Sequence, residues 1–306
     1  MAINLQLVKQ LREMTQCGVS DAVKALDESG QDLDKAVQWL REKGIAKAAK
    51  KAGAIATEGV AKVIIKDNVA VIYEVNCQTD FVGANEAFLG LVDDIGLTLL
   101  ESGENDIEKA VELKLSTGET ITQACTELTV KIGEKIALRR YQIIGKDDSQ
   151  MFSFYQHTNR KIAVLLTLNK HVDEVVAKDI AMHAAAMNPK YLSAQHVEQE
   201  WLNNEVKIIK EQMNADPKFA AMLKDPSMEG RINGIVNGKI NKLLSEVTLE
   251  AQAFVKDSSK TVKQHINAHD AELIKYVRYQ VGEGVEKVVV DFASEVAAQM
   301  KNNGNN

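Results

Sequence analysis

Along the first 44 residues, apolar positions recur at helical spacing in three short runs. Leu7, Val8 and Leu11 form one stripe, and Val23 and Leu26 mark a second helix that Gly30 can end as a left-handed cap. Asp32 is placed to cap a third helix, whose stripe is Leu33, Ala36, Val37 and Leu40 and which Gly44 closes. So few residues make a meagre core, so the module must leave much of its surface open, as binding modules do. The segment Ala46-Lys47-Ala48-Ala49-Lys50-Lys51-Ala52 follows as a basic connector, helical or loose, that reads best as solvated.

From about residue 55 the period shortens to that of strands. Residues 60–65 and 69–75 predict a hairpin around Lys66-Asp67-Asn68. A helix follows through Phe88, Leu91, Val92 and Ile95, with Asn85 as its N-cap. A further helix ends near Ile132, and a strand over 136–144 closes the unit. The pattern then recurs: strand 151–157, turn Thr158-Asn159-Arg160, strand 161–168, and a helix through Val172, Val175, Val176 and Ile180. Two hairpin-plus-helix units predict duplicated subdomains, each a small antiparallel sheet covered by helices, although identity between them is too low to assert a repeat.

Residues 190–245 differ. Val197, Trp201, Val206, Ile209 and Met213 keep one helical stripe, and Ile232, Ile235, Val236, Ile240, Leu243 and Leu244 keep another. The turns at Asp216-Pro217 and Asp225-Pro226 between them predict a protruding antiparallel helical hairpin. The tail reads as a strand over 276–281, then Gly282-Glu283-Gly284, a helix with Phe292 and Val296, and a disordered end. The expected fold class is therefore α+β: an N-terminal three-helix domain (1–54), a first core subdomain (55–144), a second (145–189 with 246–265), the hairpin inserted between its parts (190–245), and a C-terminal module (266–306).

Composition narrows the function. The chain of 306 residues is 45% hydrophobic and 26% charged, with a net charge of -6, an acidic balance that argues against broad affinity for nucleic-acid phosphates. Cys17, Cys77 and Cys125 are odd in number and form no CxxC pair, which disfavours a disulfide framework or zinc ribbon. No metal site is expected from the histidines. The first residues carry no charged stretch leading into an apolar core, and no apolar run approaches the roughly 18 residues of a membrane span, so a cytoplasmic protein without membrane contact is expected. No GxxxxGK[ST] occurs, so no P-loop is present.

The segment with unusual chemistry is Asn76-Cys77-Gln78-Thr79-Asp80-Phe81-Val82, which sets an aromatic in a polar turn between strand and helix. An unburied Phe forfeits roughly 1.5–3 kcal/mol, so either it folds back as a lid on the local core or it awaits a partner. Residue type alone favours the lid. A resemblance reverses that preference: the heptapeptide resembles the signature of the elongation factor Ts family, guanine-nucleotide exchange factors for elongation factor Tu. Other segments follow in the family's order: 7–15, Lys24-Ala25-Leu26, 40–44, Lys131-Ile132-Gly133-Glu134-Lys135-Ile136, Tyr155-Gln156-His157, Ile180-Ala181-Met182-His183 and 281–287. The chain departs from relatives at Gln16-Cys17-Gly18-Val19-Ser20, where they carry two methionines, and at Gln252-Ala253-Phe254-Val255, where they carry Gln-Pro-Phe-Val.

The resemblance implies a ubiquitin-associated-like N-terminal domain and a coiled-coil hairpin. It implies a partner, elongation factor Tu in GDP-bound and nucleotide-free forms, no cofactor and no covalent chemistry. Thr79, Asp80, Phe81 and Val82 would press into the partner beside its magnesium site, flanked by Ile132 and Gly133. Lys9, Arg12 and Val19 would hold another face, and His157 would lie towards the partner's other domains. Three other readings compete; a translational protein binding RNA is disfavoured by the acidic balance, which leaves two. One is an adaptor working through the N-terminal module, which leaves Phe81 without a role. The other is an enzyme pairing Cys77 with His157 or His183, a geometry that sequence cannot show.

Overall fold

A computed structural model of the chain describes residues 4–15, 19–51, 53–223 and 225–285. The expected C-terminal helix with Phe292 and Val296, the tail, and Gln16, Cys17 and Gly18 lie outside them.

Three helices open the chain, α1 (Leu5–Thr15), α2 (Val19–Glu28) and α3 (Leu33–Lys51). Val8, Leu11, Ala22, Ala25, Leu26 and Ala36 form their small core. Gly30 adopts φ +65°, and the Asp32 carboxylate accepts from Lys35 N–H at 3.1 Å, so both capping signals act as read. Gly44 does not end α3, which continues to Lys51. A Cβ on Gly44 would sit 3.1 Å from Val130 Cγ2 in a later helix, so glycine serves there as a notch for close helix packing.

The first sheet pairs β1 (Glu58–Lys66) with β2 (Val69–Cys77) as the predicted hairpin, but Lys66 belongs to the strand, opposite Val69, and the turn is the two residues Asp67-Asn68. A single turn, α4 (Asp80–Gly83), leads into α5 (Glu86–Ser102), which Asn85 caps as expected by accepting from Ala87 N–H at 2.9 Å. After α6 (Ile107–Ala110), helix α7 (Ile121–Ile132) delivers the chain to β3 (Ala137–Gly145), which joins β2 antiparallel. Val71, Tyr73 and Val75 face Phe88, Val92, Ile95 and Ile121 in one core.

The second sheet repeats this plan. Strands β4 (Met151–Gln156) and β5 (Ile162–Leu168) form a hairpin, and α8 (Glu174–Met187) follows. The chain then leaves through a helical excursion, α9 (Gln199–Ala215), α10 (Pro217–Leu223) and α11 (Glu229–Val247). The segment between the two Asp-Pro pairs thus contains a helix as well as turns, because Pro217 sits at a first helical position, where its missing N–H costs nothing, and Asp216 accepts from Lys218 N–H at 2.9 Å. Ile209, Met213, Ile232, Val236 and Ile240 give the excursion its own core, and its neck closes where Lys190 and Tyr191 N–H both donate to Val247 C=O. The chain re-enters through β6 (Ala253–Phe254), β7 (Asp257–Thr261) and α12 (Val262–Asn267) and ends on β8 (Leu273–Gln280). β8 starts earlier than the predicted 276 and pairs antiparallel with β5, completing the second sheet.

The duplication extends to details that hydropathy does not reveal. Both third strands join the second strand of their hairpin, each with a register shift near the end of the ladder, at Glu74/Val75 and at Thr167/Leu168. Both α7 and α12 open on a reciprocal capping box, Thr120 with Gln123 and Thr261 with Gln264. The two sheets stack face to face through Ala61, Val63, Ala70 and Ile72 against Phe152, Ala163 and Leu165. With α5 and α7 outside one sheet and α8 and α12 outside the other, the body has four layers, α/β/β/α. Strand β2 is covered on both faces, which is why its sequence reads as a continuous apolar run from Val69 to Tyr73. Fully buried Glu74 accepts from Arg139 Nη1 at 2.8 Å, Arg140 Nε at 2.6 Å and Gly282 N–H at 2.8 Å, tying the C-terminal turn to the first sheet. No helix among the described residues is long and apolar enough to cross a membrane.

Candidate functional site

Where β2 runs out, two residues carry the chain into α4, and each is held from outside. Lys135 N–H donates to Gln78 Oε1 at 2.8 Å. Thr79 donates twice to the Glu134 carboxylate, from its N–H at 3.0 Å and from its hydroxyl at 2.9 Å. With φ -123° and ψ 157°, Thr79 is also the N-cap of α4, its hydroxyl oxygen accepting from Val82 N–H at 3.5 Å. The Cys77 thiol donates to Thr79 C=O at 3.1 Å. Beneath the turn, Gly59 has φ +138°, and a Cβ there would lie 2.1 Å from Val75 C=O.

Helical geometry then decides what points where. Val82 turns inward and joins the core beneath the first sheet, while Asp80 and Phe81 face solvent. Phe81 is 85% exposed, more than any other large apolar side chain among the described residues. The lid reading, in which it folds onto the local core, is therefore not what the chain does.

Two further segments border this turn. Helix α7 ends at Ile132, which packs partly into the core, and Gly133 caps it with φ +87° before Glu134. Lys51, at the end of α3, donates to Gly133 C=O, so the N-terminal helices touch the site through their last turn. On the other side the β4–β5 turn approaches: Ala61 N–H donates to Arg160 C=O at 2.9 Å, and Lys161 pairs with Glu58 at 2.5 Å. That hydrogen bond, with the added attraction of Asp80, holds the Lys161 pKa above the ordinary lysine value. Half-buried His157 starts the same turn, its ring edge-on to Tyr155.

Of the residues the sequence singled out, Thr79, Asp80, Phe81, Val82, Ile132, Gly133 and the His157 turn thus gather around one end of the first sheet. Lys9, Arg12 and Val19 do not. Lys9 lies on α1, ion-paired with Glu13 at 3.8 Å, with Arg12 on the same helix, and 52%-exposed Val19 begins α2. Glu134 was missed as a brace for the turn, because a lone glutamate in a sequence reads as a solvated charge.

The arrangement is unsuited to covalent chemistry at Cys77. Burial first, then the nearby Glu134 and Glu58 carboxylates, push its thiol up to about 12. His183 is buried elsewhere with both nitrogens engaged, Nε2 with Gln252 Oε1 at 3.0 Å and Nδ1 accepting from Val255 N–H at 3.1 Å. One spacing weighs against the expectation of no metal site: His265 and His269 stand as HxxxH. Their ring centroids are 5.6 Å apart, but the His265 ring stacks on Phe254 at 4.2 Å and its Nε2 is buried without a partner. Among the described residues no three His, Cys, Asp or Glu side chains gather as a metal site.

Comparison with known proteins adds two findings. A family model described as "Elongation factor TS" matches residues 78–283, which run from the braced turn through β3, the whole second sheet and the helical excursion. The chain is also similar to the curated "Elongation factor Ts" of Acholeplasma laidlawii (strain PG-8A), with 42% identity over 304 residues covering 98% of this chain and 99% of that protein.

Proposed function

The chain belongs to the elongation factor Ts family of translation elongation factors, and from that premise we propose that it binds elongation factor Tu carrying GDP and accelerates GDP release. In this reading Phe81 enters the partner's G domain beside the magnesium site and displaces the elements that hold Mg²⁺ and the β-phosphate. Loss of the divalent ion removes the largest local positive charge facing the phosphates, GDP escapes, and GTP can rebind. No covalent step is required of the factor, and each tenfold in release rate corresponds to about 1.4 kcal/mol off the barrier.

One observation carries this reading: the most exposed large apolar side chain among the described residues sits on a turn fixed by external hydrogen bonds. A free Phe gains roughly 1.5–3 kcal/mol on burial, and a turn already ordered does not lose that gain to ordering. Asp80 beside it, Ile132 and Gly133 at its flank and His157 on the neighbouring turn complete the face. Lys9, Arg12 and Val19 supply a second, separate contact that anchors the complex.

The test is release of fluorescent GDP from the cognate elongation factor Tu, followed by stopped flow across a range of factor concentrations. Stimulated release that saturates supports the proposal, and unchanged release at saturating factor overturns it. Linkage adds an equilibrium requirement: GDP with Mg²⁺ must weaken the factor's binding by as much as the factor weakens GDP binding.

A further inference from the structure

We propose that Glu134 is a positioning residue for Phe81, holding the turn so that the aromatic ring stays presented to the partner; this rests on the exchange reading above. Helix α4 has four residues, too few to stand by itself, so its direction must be imposed from outside. The β2 ladder cannot impose it. The last pair is Glu58 with Cys77, and Gln78 and Thr79 lie beyond it.

Glu134 supplies what the ladder lacks. Its carboxylate takes both donors of Thr79, the N–H and the hydroxyl, at 2.9–3.0 Å. Thr79 is the N-cap of α4, so fixing it fixes the start of the turn from which Phe81 projects two residues later. The brace is itself anchored: Glu134 follows the left-handed Gly133 cap of α7, whose N–H donates to Thr129 C=O at 2.8 Å. Next to it, Lys135 N–H holds Gln78, and Ile136 N–H donates to Thr129 Oγ1 at 3.0 Å. A 12-residue helix is thus clamped to a four-residue one, with the Glu134 carboxylate on the N-cap itself and Lys135 N–H on the residue before it. Without the clamp, an aromatic ring that gains by burial would be free to leave its exposed position.

The experiment uses the full chain as Glu134→Ala, Glu134→Gln, Phe81→Ala and the double variant Phe81→Ala/Glu134→Ala. Each is titrated against elongation factor Tu·GDP to separate the maximal stimulated release rate from the half-saturating concentration. Hydrogen exchange at the Thr79–Val82 amides is read on the same samples. Glu134→Ala is expected to lower the maximal rate roughly ten- to hundredfold, the change in rate to which losing a hydrogen bond to a charged group corresponds. The half-saturating concentration should move far less, because the N-terminal anchoring face is untouched. Glu134→Gln, which keeps one accepting oxygen, should recover part of the rate. The double variant should be little slower than Phe81→Ala alone, since a positioning residue has nothing left to position.

The outcomes separate cleanly. If Phe81→Ala releases GDP like the parent, the exchange reading itself falls, and this role with it. If Phe81→Ala is slow while Glu134→Ala is not, only the positioning role is overturned. Losses that multiply in the double variant, or Thr79 and Val82 amides as protected in Glu134→Ala as in the parent, overturn it too. Should Glu134→Ala fold poorly, Glu134→Gln carries the same comparison with the shape of the side chain kept.

Discussion

Neighbouring residues in one helical turn answer here to opposite demands. Val82 fills the core while Phe81 is left 85% exposed, so truncating the two should separate stability from activity. Phe81→Ala is expected to shift unfolding free energy by no more than about 0.5 kcal/mol, as surface changes do, while clearly slowing stimulated GDP release. Asp80→Ala should act in the same direction, and the two losses should not add. Melting temperature and release rate measured on Phe81→Ala, Asp80→Ala and the double variant decide the matter, and a large melting shift in Phe81→Ala would make Phe81 structural. His183 titrates in the other subdomain. Its burial lowers its pKa from 6.5, opposed only in part by its hydrogen bond with Gln252, so the folded state holds the neutral ring. The unfolded chain takes up the proton first as pH falls. Stability from this group is therefore complete above about pH 6.5 and declines below it. Thermal unfolding at pH 7.5 and 5.5 should show that loss, and His183→Gln should reduce the difference. Phe81 stood out in the sequence because an aromatic in a polar turn breaks the local pattern, but residue type alone favoured the lid and only the family resemblance reversed it. Glu134 and Glu74 did not stand out, because their partners lie 55 residues away or more.

Glycine shows how one residue type marks different events in an element. Gly30 does end the turn after α2, yet Gly44 lies within α3, where the missing side chain admits Val130 of α7. A helix-stop signal and a packing notch look alike in a sequence, since the difference is the surface that meets the glycine. Proline produced the reverse ambiguity at Pro217, where a residue read as a turn opens α10. The excursion from α9 to α11 is the element most separable from its surroundings. It carries its own apolar core, and its neck is a short backbone closure in which Lys190 and Tyr191 meet Val247 and Leu249 N–H donates to Tyr191 C=O. Replacing residues 199–246 by a short Gly/Ser turn is expected to leave the four-layer body folded. Near-unchanged melting of the remainder, with helical circular dichroism reduced by the deleted residues, would bear this out. Collapse of the β4–β5–β8 sheet in that variant would show the excursion to be part of the fold.

At the scale of the whole molecule the two sheets are equal in plan and unequal in chain distance. Their succession was legible, since short strand-like apolar runs recur after residue 150. The pairing of β8 with β5 was not, because the excursion and the β6–β7 hairpin separate them and one more short strand resembles any other. The first sheet has all its strands once Gly145 is made, while the second waits for Gln280, about 135 residues later. At about 5–20 residues per second that interval lasts roughly 7–27 s on the ribosome. Through most of it, Ala61, Val63, Ala70 and Ile72 face a β4–β5 hairpin that still lacks its third strand, β8. Nascent chains arrested at residue 265 should yield a protease-resistant N-terminal half and a labile remainder, whereas released full-length chains should resist throughout. A translation factor is in this way exposed to the pace of translation itself: slow codons between residues 145 and 280 lengthen the time for which its half-built body must be shielded by chaperones.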